Sequence, residues 1–253
     1  MNKSTITKAF ALLFSSMSFL ACAEQNAKIN MNDKEEVNMD HTLNLNVGNS
    51  CNIKFGNVQF TRSMNGAEKL ISFDEKNNLR FEANEKMDFF CDPDNKITNN
   101  TAPILLTEID NTQPFLFTAK VKPEFTKSGM YNAAVLYIYV NDGFWQKLCF
   151  EQDERGKHRI VSVRTIRTSD DNNHDIIEQE YVYLRIYSNT KTVAFYYSLD
   201  NIDWQMVKLY ENIYPQKIFL GISNQCPIDT GSCSYFEELS LSSDNIKDIR
   251  LGK

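Results

Sequence analysis

Past residue 40 the chain is written in short runs that alternate apolar and polar residues, separated by turn residues, less regularly from Thr42 to Lys69. No stretch sustains a helical period over three turns. "NNLRFEAN" sets Leu79, Phe81 and Ala83 against Arg80 and Glu82, and "PFLFTAKV" sets Phe115, Phe117, Ala119 and Val121 against Leu116, Thr118 and Lys120. "AAVLYIYV" and "FWQKLCFEQ" are joined by Asn141-Asp142-Gly143, a strong hairpin signal. Further runs follow at "RIVSVRTI", "YVYLRIY", "TVAFYYS", "KIFLGIS" and "SYFEELSL". Many short strands without a repeat period predict an all-β sandwich or barrel and exclude a propeller or solenoid.

The N-terminus carries a different message. Lys3 and Lys8 precede the apolar run Ala9 to Ala21, too short for a mature membrane helix and suited to a secretory signal over residues 1–21. Two readings of its end stand side by side. Leu20-Ala21-Cys22 resembles a bacterial lipobox, with Cys22 lipidated and the domain anchored in the cell envelope or at the cell surface. Ala21-Cys22-Ala23 instead suits ordinary signal peptidase and a soluble periplasmic or secreted product. Residues 22–40 read as a polar, disordered tether. Residues 41–70 read as an added edge or cap, with strands expected at "TLNLNV" and "NVQFTR", and residues 71–253 as the sandwich.

The net charge is −6, and loss of the signal removes two lysines and no acid. With no basic block, nucleic acid and anionic lipid surfaces are excluded as partners, so any membrane contact is through the lipid alone. Beyond Cys22 five cysteines remain, an odd number, so at least one thiol stays free or pairs outside the chain. The spacing of "CPIDTGSC" allows a Cys226–Cys233 disulfide, worth about 2.5 kcal/mol by loop closure. The buried free thiol is the competing reading, above all for Cys149.

"FWQKLCFEQ", "YVYLRIY" and "FYYSLDNIDWQMV", followed by "IFLGISNQCP" and "SYFEELSL", resemble a family of microbial domains of unknown function, also described as regulation-of-enolase-like. The resemblance covers roughly Ile71 to Leu251. It rests on Trp145, Lys147 and Glu151, and on Tyr196, Tyr197, Ser198, Asp200 and Trp204. Asp200-Asn201 stands where the family tends to have Asp-Gly, and Asn tolerates the left-handed turn. The resemblance implies a concanavalin A-like jelly-roll of two antiparallel sheets, one concave, with carbohydrate the usual ligand. It does not imply catalysis, and nothing in these residues supports regulation of enolase by an exported protein.

On the strand from Phe144 to Gln152, Phe144, Gln146, Leu148 and Phe150 share the expected core face, and Trp145, Lys147, Cys149 and Glu151 the other. Burying an aromatic is worth about 4 to 6 kcal/mol, so Trp145 should be covered. The cover is either the protein's own loop or N-terminal segment, with Lys147 along the ring, or a sugar stacked on the indole. If neighbouring strands share that face, Arg164, Tyr183, Arg185 and Tyr187 join it, while Val163, Leu184 and Ile186 point into the core. Such a face suits hydroxyls and carboxylates. The alternative is a surface ladder of Lys147, Glu151, Arg164 and Arg185, each exposed pair worth under about 1 kcal/mol.

No cofactor is implied. His41, His158 and His174 share no metal spacing, and the acidic runs "TSDDNNHD" and "CDPDNK" lack the order of a calcium loop and read as turns. "SLDNIDW" reads as a structural Asp-box hairpin. No phosphate loop, G-x-S-x-G elbow or Glu-x-Asp-x-x-Glu strand occurs, and Glu151 with Asp153 makes an atypical acid pair. The expectation is a non-catalytic carbohydrate-binding module. The alternatives are a glycan-active enzyme (glycoside hydrolase, or a lyase using Tyr and Arg on a uronic acid) and a structural lipoprotein whose Trp145 is covered by Thr42 to Lys69.

Overall fold

The computed structural model describes residues 41–253. Its strands are, in chain order, β1 (Asn49–Phe55), β2 (Val58–Met64), β3 (Ile71–Phe73), β4 (Leu79–Asn84), β5 (Phe89–Cys91), β6 (Thr98–Asn100), β7 (Ile104–Asp110), β8 (Phe115–Pro123) and β9 (Ala133–Asn141). The series continues with β10 (Phe144–Gln152), β11 (His158–Ile166), β12 (Thr168–Ile176), β13 (Val182–Ser188), β14 (Thr192–Ser198), β15 (Trp204–Glu211), β16 (Lys217–Gln225) and β17 (Gly231–Ser242).

Eight strands form one sheet in the order β1-β2-β7-β16-β9-β10-β11-β12, and seven form a second in the order β15-β14-β13-β8-β17-β4-β3. Strand pairs in both sheets are antiparallel. This is the concanavalin A-like β-sandwich that the alternating runs and the resemblance imply. Between the sheets lies one apolar cluster, in which Leu136, Ile138, Phe144, Leu148 and Phe150 meet Phe117, Ala119, Val121, Leu184, Ile186 and Phe195. Their alternation with residues of the other face is the period-two pattern read as strand.

The outer face of each sheet is also covered. A C-terminal segment lies on the seven-stranded sheet, where Ile246 and Ile249 pack with Tyr187, Tyr196 and Trp204. Gly252 allows it: its backbone is left-handed (φ 68°), and a Cβ there would stand 2.8 Å from the Trp204 Cβ. On the eight-stranded sheet the small β5–β6 hairpin forms the cover, with Phe89 and Cys91 joining a second apolar cluster that contains Tyr137, Tyr139, Trp145, Val161 and Val163.

Two local expectations need correction. "TLNLNV" is irregular chain, although Leu43 and Val47 still pack on the second cluster, whereas "NVQFTR" lies in β2 apart from its first residue. "TSDDNNHD" is not a turn but edge strand β12, paired with β11 from Thr168 to Ile176. An edge strand with open side chains needs few apolar residues, so composition alone does not reveal it. The signal segment, Cys22 and the tether lie outside the described residues.

Candidate functional site

Strand β10 presents the two faces its alternation predicts. Phe144, Gln146, Leu148 and Phe150 are buried toward the seven-stranded sheet, and Trp145, Lys147, Cys149 and Glu151 project to the outer face. The Trp145 end of that face is closed. The indole is 0% exposed, with the Phe89 ring 4.9 Å away in an edge-on contact and its Nε1 donating to the Asp142 carbonyl at 3.1 Å. Lys147 Nζ lies 5.8 Å from the indole and donates to the Phe89 carbonyl and to Gln225 Oε1, both at 3.0 Å, with Asp88 at 3.8 Å. Burial pushes the Lys147 ammonium down, but Asp88 and the neighbouring acids outweigh it, so its pKa is raised and it stays charged. Trp145 is therefore not an open stacking platform. Its cover is the protein's own chain: Phe89 and Cys91 of the β5–β6 hairpin, with Ala102, and Leu43, Val47 and Met64 from the Thr42 to Lys69 segment in the same cluster.

The remaining residues expected on this face are divided among three surfaces. The β10–β11 register sets Trp145 opposite Thr165 and Gln146 opposite Arg164, so Val163 shares the Trp145 face and Arg164 points between the sheets, 5.1 Å above the Tyr210 ring. Arg164 and Val163 thus sit on the opposite faces from those expected, because period-two side chains follow a register that no single strand reveals. Tyr183, Arg185 and Tyr187 belong to β13 of the other sheet and face its outer side. There the Arg185 guanidinium stacks 3.4 Å from the Trp204 ring and donates to the Gly252 carbonyl at 3.0 Å. Lys147, Glu151, Arg164 and Arg185 form no ladder either. Cys226 and Cys233 are free thiols. Cys226 is held in a bridge to Met87 with its thiol donating to the Asp229 carbonyl at 3.3 Å, while Cys233 lies in β17 opposite Glu82. Each is fixed by its own strand pairing instead of by the other sulfur.

The Glu151 end of the outer face differs. Glu151 is only 8% exposed and makes no hydrogen bond or ion pair among the described residues. Burial raises its carboxyl to about 8; the Lys147 charge opposes the shift, and Asp171, Asp88 and Asp153 reinforce it. It is mostly a neutral acid at pH 7, able to donate a hydrogen bond. Asp171, on β12 two strands away, is exposed on the rim; desolvation raises its pKa and the Lys147 charge only partly offsets that. Asp153 is not Glu151's chemical partner. It accepts from Arg155 N, Lys157 N and Arg159, which clamps the β10–β11 turn and holds its pKa low against desolvation.

Beside Glu151 stands Tyr131, which the strand patterns do not single out. The residue is 38% exposed and its backbone is left-handed at φ 63°, an outlier for a bulky side chain. Desolvation raises its hydroxyl first, followed by Glu154, Glu151, Asp171 and Asp153. The loop that carries it is tied down. Tyr131 N donates to the Gln152 carbonyl at 2.7 Å, and Asp229 accepts from Thr126 and Asn132, which bracket the loop. The result is an exposed aromatic on a rigid, strained backbone, next to a neutral acid and a carboxylate. Such a set can stack a sugar ring and exchange hydrogen bonds with its hydroxyls.

Residues 65–244 match the family described as "Protein of unknown function (DUF1349)". The chain belongs to it. No functionally curated protein matches the sequence. Among solved structures, this member of the family resembles a functionally unknown protein from Saccharomyces cerevisiae at 22% identity and TM-score 0.64, over 72% of this chain and 96% of that one. It also resembles the GH43 protein BlXynB from Bacillus licheniformis (17%, 0.56, over 74% and 36%) and a xylan beta-1,4-xylosidase from Bacillus halodurans C-125 (15%, 0.53, over 70% and 35%). The chain thus spans about a third of those two proteins, and at these identities the likeness is one of fold.

Proposed function

We propose that the domain is a non-catalytic carbohydrate-binding module whose site is the Glu151 end of the eight-stranded sheet's outer face, not the Trp145 end. The observation that carries the reading is Glu151 itself. It is a nearly buried carboxyl with no partner, kept neutral by its surroundings, beside the exposed Tyr131 ring. Asp153 is buried and paired with Arg159, which stands opposite Glu151, and Glu154 is paired with Arg155, so the exposed Asp171 sets the charge of the rim; the arginines expected to hold carboxylates, Arg164 and Arg185, lie on other surfaces. Like-charge repulsion therefore favours neutral glycans over uronic acids. The signal and Cys22 carry the accompanying proposal of export and lipid anchoring, to be checked by release of the Cys22→Ser chain from the membrane fraction. Regulation of enolase is not part of this reading.

The test is binding of the mature chain, carrying Cys22→Ser, to a panel of neutral and acidic polysaccharides. Xylan comes first because one structural neighbour is a xylosidase. Saturable binding to a neutral glycan that is lost in Tyr131→Ala and Glu151→Ala supports the reading. Binding that ignores both substitutions, or that prefers alginate or pectate, defeats it. A hydrolase is the second reading, favoured by one feature: a carboxyl poised near neutrality is what a general acid needs. Release of reducing sugar that depends on Glu151 would identify it.

A further inference from the structure

Directly behind this face, between the sheets, is a set of polar groups in which three side chains carry buried atoms without a hydrogen-bond partner. Gln146 is 0% exposed, and both its amide oxygen and its amide nitrogen lack a hydrogen-bond partner. Opposite it on β11, Arg164 has a buried Nε without a partner, and from β15 of the facing sheet the buried Lys208 Nζ also has none. Desolvation lowers the Lys208 pKa; the Asp170 carboxylate opposes that, and Arg164 adds a smaller lowering. Tyr210 and Tyr214, hydroxyls 3.0 Å apart, flank Arg164. The acid nearest in register is Asp170, opposite Arg164 on β12, and it forms an ion pair with neither cation. His174 is bonded to Ser162 at 2.9 Å, and its pKa is lowered by desolvation and then by Lys208.

An unpaired buried polar group is unfavourable, and two unpaired cations side by side are more so. Arg164 Nε, Lys208 Nζ and the Gln146 amide nitrogen are donors without an acceptor, and the charge that acts most on Lys208, Asp170, is not hydrogen-bonded to it. We propose that this polar patch between β10–β11 and β15 is a binding site for a small oxyanion, a carboxylate or a phosphate. Arg164 and Lys208 supply the charge, Gln146 supplies a neutral donor, and Asp170 competes with the ligand at the rim. The site is on the reverse side of the sheet from the glycan site and does not depend on it.

The experiment titrates the mature Cys22→Ser chain with inorganic phosphate and, separately, with acetate. Sodium chloride keeps the ionic strength constant, and the readouts are calorimetry and the Arg164 15Nε resonance. One anion should bind saturably at one per chain and move that resonance. Lys208→Met should weaken binding at least about tenfold, and Asp170→Asn should tighten it. Phosphate and acetate as separate arms decide which oxyanion the site takes. If Lys208→Met does not fold, the unaltered residue 164 resonance and the Asp170→Asn shift still give the answer. An Arg164 resonance indifferent to both anions, or affinity unchanged in Lys208→Met and Asp170→Asn, overturns the proposal and leaves the patch a hydrated one.

Discussion

The two ends of one strand face can be set against each other. At Trp145 the outer face of β10 is roofed by Phe89, and its polar atoms are matched: indole to carbonyl, ammonium to carbonyl and amide. Two residues of alternation further on from Cys149, at Glu151, the same face has no roof partner for its carboxyl and meets an open tyrosine ring. Both ends are buried and both carry residues of binding type. Satisfaction of polar groups separates a structural core from a site here, and burial or residue type does not.

The largest expected effect concerns the roof. Phe89→Ala should cost about 3 to 5 kcal/mol in denaturant unfolding, by loss of the ring and the cavity left over Trp145. A loss under about 1 kcal/mol would mean the hairpin is a loose cover, and Trp145 would return as a ligand platform. Next is Glu151→Gln. A carboxyl raised from 4.5 to about 8 binds its proton more tightly when folded, so stability falls as pH rises through that window and levels off above it. Glutamine removes this dependence. The variant should be more stable than the wild type by about 3 kcal/mol at pH 7, with the gap closing below pH 4.5 in paired thermal melts. A gap that does not vary with pH would make Glu151 an ordinary ionised residue. The smallest effect is Tyr131→Asn, which relieves the left-handed backbone. Its stability should match or exceed the wild type by up to about 1 kcal/mol while glycan binding falls. A clear loss of stability would recast Tyr131 as packing.

Much of the architecture is legible in local pattern. The Asn141–Gly143 turn joins β9 to β10, and Gly143 N donates to Asn141 Oδ1 at 3.0 Å. The Ser198–Asp203 turn is the expected Asp-box hairpin: Asp200 Oδ1 accepts from Ile202 N and Asp203 N, and Asn201 takes φ 65°. The site is less legible. Asp171 lies in a run that composition reads as turn, and Tyr131 lies in a loop with no strand pattern. What could point to Tyr131 is a bulky residue amid "KSGMYN", and that signal is weak.

Alternation along each run by itself determined that the chain is all-β, a sandwich or a barrel, where its main hairpins fall, and which side chains of β10 share a face. The sequence did not determine which strands lie beside one another, and a register shift of one residue exchanges the faces. That is why Arg164 points between the sheets and Arg185 lies on the far side of the sandwich. Nor did it determine that residues 88–102 would fold over Trp145. Only tertiary structure decides what covers a face, because covering it requires contacts between residues distant in the chain, and those contacts leave the Glu151 carboxyl without a hydrogen-bond partner and Tyr131 exposed.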